Sequence, residues 1–75
     1  MKPNEYDVVR LLMPMPEHHL LAGATGTVVF DHTKFGDSVR PPAYEVEFTD
    51  RAGKTVAVVT VPEEALEVTW RAHTR

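Results

Sequence analysis

Apolar and polar side chains alternate most cleanly over residues 43–49, AYEVEFT. Tyr44, Val46 and Phe48 point one way and Glu45 and Glu47 the other, the period of two of a half-buried strand. Residues 6–12, YDVVRLL, rich in β-branched and aliphatic side chains and bounded by Pro3 and Pro14, predict a strand with Asp7, Val9 and Leu11 on one face and Val8, Arg10 and Leu12 on the other. Residues 25–31, TGTVVFD, predict another, with Gly26, Val28 and Phe30 sharing a face. The segment 55–61, TVAVVTV, is apolar on both faces, which predicts burial on one side and partial covering on the other. Leu66, Val68 and Trp70 alternate in a short final strand.

The connections have their own chemistry. MPMPEHHLLAG, residues 13–23, places prolines at alternate positions, which removes backbone donors and forbids a continuous helix. It predicts a loop longer than an ordinary hairpin connection. HTKFGDSVRPP, residues 32–42, predicts a second loop. DRAGK, residues 50–54, reads as a hairpin turn with Asp50 at its start and Gly53 free to take a positive φ. Pro62, Glu63, Glu64 and Ala65 suit a single helical turn, with proline and acidic residues at its N-terminal end. The tail RAHTR is polar and is expected to fray.

Five short strands, a long first loop and one helical turn before the last strand predict an all-β domain, a small SH3-like five-stranded barrel. It spans residues 1–75 as one domain with an ordered core over about 5–70. Such a barrel bends its strands sharply. Gly23 is placed to close the first loop at positive φ, and Gly26 to sit where the strand coils against another backbone or ring.

Composition narrows the functional classes. The chain has 75 residues and no cysteine, which rules out disulfides and thiolate metal sites and suits a reducing compartment. The N-terminus, MKPNEYD, lacks the apolar stretch of a signal peptide, and no apolar run approaches the ~20 residues of a membrane-spanning helix. A cytoplasmic protein without membrane contact is the expectation. Eight lysines and arginines against eleven aspartates and glutamates give a net charge of −3. That balance disfavours a coat of nucleic acid, whose phosphates dominate such affinity.

Residues 6–68 carry a family likeness. The run YDVVRLL…MPEHHLLAGATGTVV…AYEVEFTDRAGKTVAVVTVPEEALEV resembles a family of small, functionally unassigned bacterial proteins. Its pattern reads D-x-V-x-L, then L-P-E-H-G-L-x-x-G-x-x-G-T-V-V, then Y-E-V-E-F. Gly23, Gly26 and Val28 are also similar to the KOW element of ribosomal and transcription-factor barrels. The resemblance implies an SH3-like barrel with no assigned enzyme activity, and an immunity or antitoxin role beside small nuclease-type toxins. The chain departs from the pattern at His19, where the family has glycine.

Candidate chemistry is sparse. Glu17, His18 and His19 are adjacent, and neighbours on an extended chain point apart, so they make a poor chelate. No metal, cofactor or catalytic residue is expected. Glu45 and Glu47 share a strand face, the ordinary arrangement of a solvated surface. The lone Ser38 has no nucleophile motif around it, and GATGT lacks the lysine and length of a phosphate loop. The first loop contains no lysine or arginine, and Lys34, Phe35 and Arg40 are the only mixed basic and aromatic group. A protein partner fits better. Its candidate contacts are Met13, Met15, Leu20, Phe35, Glu45, Glu47 and Trp70, because methionine adapts to irregular surfaces and tryptophan concentrates at hot spots. Leu20 or Leu21 plugging the barrel end, and Trp70 packing over its mouth, is the competing structural reading. Three functions follow: a protein-binding module of the immunity or antitoxin type, a KOW-like RNA- or ribosome-associated module, and an accessory or maturation subunit of an enzyme.

Overall fold

A computed structural model describes residues 2–33 and 41–72. Five strands, β1 (Val8–Leu11), β2 (Thr25–Asp31), β3 (Ala43–Thr49), β4 (Thr55–Pro62) and β5 (Leu66–Trp70), form one antiparallel sheet in the order β4-β3-β2-β1-β5. Single 3-10 turns occupy Pro16–His18 in the first loop and Glu63–Ala65 between β4 and β5. The five strands and the helical turn before the last are those the sequence predicts.

The predicted all-β, five-stranded fold stands, but its barrel is not closed. The sheet is open, with β4 and β5 as its edges and no ladder between them. It is nevertheless strongly coiled, and the chain length requires this. Only Glu63–Ala65 separates Pro62 from Leu66, four steps that reach at most about 14 Å. The edges of a flat five-stranded sheet would lie about 19 Å apart. Side chains complete the enclosure that backbone bonds do not. Val9 and Leu11 of β1, Val28 of β2, Tyr44, Val46 and Phe48 of β3, Val59 and Val61 of β4 and Leu66 of β5 form one buried cluster, filled from the connections by Leu20 and Ala65.

Gly26 explains how the sheet coils so tightly. A Cβ there would lie 2.7 Å from the carbonyl oxygen of Glu47 and 2.7 Å from Cγ1 of Val46, so the paired strand β3 lies so close to β2 that only a hydrogen fits. Two residues later a bulge changes the face pattern. Val28 pairs with Val46 but Phe30 pairs with Glu45, so Val29 is the extra residue. The predicted shared face of Gly26, Val28 and Phe30 therefore breaks. Phe30 turns outward against the ring of His32, and Asp31 turns inward opposite Tyr44.

Two other expectations are adjusted. β1 begins at Val8 rather than at residue 6, because Tyr6 takes φ 72 in a turn closed by the Asp7 amide on the Asn4 carbonyl (3.1 Å). β4 buries Val59 and Val61 as expected, but Val56 and Val58 on its other face are 57% and 55% exposed, not partly covered.

Asp7 closes the domain at its termini. Its carboxylate is buried and accepts from the Asn4 amide (2.8 Å), the Ala72 amide (2.9 Å) and Nη1 of Arg71 (2.7 Å). The same Arg71 nitrogen donates to the Lys2 carbonyl at 2.8 Å. Buried charge of this kind persists only when paired and hydrogen-bonded. Here it binds the residues after β5 to those before β1.

Candidate protein-binding surfaces

The first loop is held by its own backbone. Leu11 donates to the Ala24 carbonyl (2.8 Å) and Gly23 to that of Leu11 (2.7 Å), closing its base, where Gly23 takes φ 93 as predicted. Met15 and Leu20 exchange both backbone bonds, at 2.9 and 3.1 Å, around the Pro16–His18 turn. That turn ends at His19 with φ 58, the left-handed region where glycine is favoured. The glycine of the resembled pattern at this position thus has a steric cause. The Leu12 amide reaches the Ala65 carbonyl at 2.8 Å and fixes the loop to the turn before β5.

This frame sorts the apolar residues of the loop. Leu20 is buried in the core, the plug of the competing reading, and Met15 packs against it. Leu12, Met13 and Leu21 remain 49%, 45% and 77% exposed. Glu17, His18 and His19 lie on the solvent side of the turn. Adjacent leucines in a loop carry no period, so the sequence did not separate Leu20 from Leu21.

The outer sheet face is mixed. Glu47 accepts from the hydroxyl of Thr55, and Glu45 from that of Thr60 at 2.6 Å, with His32 4.0 Å from Glu45. Val58 stands directly across from Glu47. Trp70 does not cap the barrel; it is 58% exposed beside Val8 at the end of β5. Phe35, with Lys34, Ser38 and Arg40, lies outside the described residues. Met13, Trp70 and the pair Glu45 and Glu47 thus occupy three places, with Leu20 in the core.

A third region joins β3 to the turn after β4. The hydroxyl of buried Tyr44 donates to Oε1 of Glu63 at 2.7 Å. Burial first, then the Glu63 carboxylate, pushes the phenol well above its usual range and keeps it neutral. Nearby, Asp31 accepts from both the amide (2.7 Å) and the hydroxyl of Thr33. Alongside lies an open cleft of about 500 Å³ between Pro41, Pro42, Pro62, Glu63, Glu64 and Leu66. Among the described residues, no three His, Cys, Asp or Glu side chains gather as a metal set, and no helix is long and apolar enough to cross a membrane.

Comparison with known proteins gives one match. The sequence profile of the family described as Domain of unknown function (DUF4926) matches residues 5–68, most of the chain. No curated protein and no solved structure matches.

Proposed function

The chain belongs to the DUF4926 family, and we propose that it is a non-enzymatic protein-binding module whose first loop is the docking platform. The observation carrying this reading is the contrast within that loop. Its backbone is closed by hydrogen bonds and its Leu20 anchored in the core, yet Leu12, Met13 and Leu21 are held outward. A loop already ordered loses little entropy on binding, so its apolar contacts go into affinity. Fully burying a free leucine is worth roughly 1.5–3 kcal/mol, and covering these partly exposed side chains is worth a fraction of that.

The partner class most consistent with the family likeness is a small nuclease-type toxin, which the module would neutralise. Charge supports a basic protein over nucleic acid. The loop carries Glu17 and no lysine or arginine, and Arg10 and Arg71 are already paired with Glu67 and Asp7. The test is side-by-side affinity capture from the host extract with wild type and Met13→Ser/Leu21→Ser, with matched thermal melts. The reading predicts a protein held by wild type and depleted roughly tenfold by the variant, about 1.4 kcal/mol. RNA retained with a steep salt dependence, and equal protein capture by both baits, would contradict it.

A further inference from the structure

Among the described residues β4 is the longest strand, and its outer edge carries no ladder. Among the described residues its backbone pairs only with β3, leaving alternate N–H and C=O groups of Thr55–Pro62 without a ladder. Natural edge strands are shielded by charges, bulges, proline or shortness. β4 has eight residues, no charged side chain, proline only at its last position, and a register shift only at its start, between Phe48 and Thr49 of its partner. Val56 and Val58 stand exposed on its outer face.

We propose that the free edge of β4 pairs with the β4 of a second copy of this chain, antiparallel about a two-fold axis at Val58, to form one continuous ten-stranded sheet. Three features select this occupant. An antiparallel pairing must keep outer side chains opposite outer ones, so the axis falls on a residue and not between two. With the axis at Val58, residues 56–60 find partners, Val56 meets Thr60, and the bulge at Val56 ends the regular pairing there; no like charges oppose one another within the strand. The flanking charges then become complementary. Lys54, beyond the bulge, falls near Pro62 of the other copy, at the cleft of Pro62, Glu63 and Glu64, and symmetry makes this contact twice. Glu63 is occupied by Tyr44, which leaves exposed Glu64 to receive the ammonium. A pairing confined to one edge is at the small end of stable interfaces, so the dimer dissociates at micromolar concentration.

The experiment is sedimentation velocity on the full chain from about 1 μM to about 1 mM, with thermal melts as the folding control. Wild type is expected to pass from monomer to dimer across this range. Val58→Lys places two ammonium groups at the axis while leaving the monomer beside Glu47, and should remain monomeric. Lys54→Glu should weaken the dimer roughly tenfold, and Lys54→Glu/Glu64→Lys should restore it. A wild type that stays monomeric throughout, a dimer that survives Val58→Lys, or a charge exchange that restores nothing would each overturn the proposal. These readouts are independent of Met13 and Leu21, so failure here leaves the first-loop reading intact.

Discussion

The two edges of the sheet are guarded in opposite ways. β5 has five residues, carries Glu67 paired with Arg10, and meets β1 across a register shift between Val8 and Val9. Its continuation, Arg71 and Ala72, is held by buried Asp7. β4 is longer, uncharged along its length, and attached by the β3 ladder and the packing of Val59 and Val61. Polar devices specify the edge that the last strand forms. Apolar burial attaches the other and leaves its outer side open. In so small a domain the contrast assigns different jobs: β5 completes the fold, while β4 offers a template.

The largest effect is expected at the guarded edge. Asp7→Ala leaves the Arg71 guanidinium and the Asn4 and Ala72 amides without their acceptor, and should cost about 3 kcal/mol in urea unfolding. A loss near zero would mean that Leu66 and Val68 dock β5 unaided. Next is the centre of the sheet, where β3 approaches β2 most closely at Gly26. Gly26→Val drives a side chain into the Glu47 carbonyl and should lower stability by about 1–3 kcal/mol. Unchanged melting would make Gly26 an ordinary strand position.

The return from β4 to β5 gives a pH test. The folded state raises the Tyr44 pKa above its ordinary value of 10.0, so it favours the neutral phenol. That contribution is complete below pH 10.0 and is lost as pH rises above it, at about 1.4 kcal/mol per pH unit. Tyr44→Phe should remove this alkaline slope from the stability profile. A slope that persists in Tyr44→Phe would assign the alkaline loss to other groups. The smallest effect lies in the loop that braces β5 through Leu12 and Ala65. His19→Gly relieves a left-handed residue and should raise stability by about 0.5 kcal/mol, the strain relieved being partly offset by the greater freedom of glycine when unfolded. A destabilised variant would show that the His19 side chain contributes more than its backbone costs.

Much of this architecture was legible in the sequence, for local reasons. Alternation bounded by turn residues placed β2 at 25–31 and β3 at 43–49 to the residue, and Gly23, Gly26 and Gly53 were assigned their conformations or crowding correctly. What escaped depended on partners distant in sequence. Val29 looks like any strand valine, and only β3 makes it a bulge. Tyr6 is a strand former that the Asn4–Asp7 turn places at positive φ. Exposure of Val56 and Val58 follows from strand order, which alternation does not encode, and so does the open edge that replaces barrel closure. Of the candidate contacts, Leu20 became core because its neighbours across the loop and sheet enclose it, while Met13 and Trp70 stayed outside.

Amide hydrogen exchange at two protein concentrations tests the contrast between the edges most directly. In dilute solution the alternate amides of 56–60 that face away from β3 should exchange as freely as exposed peptide. At concentrations where the dimer fills, those amides alone should gain protection, while the outer amides of β5 keep one rate throughout. Equal rates in β4 at both concentrations, or protection appearing in β5 instead, would contradict the account.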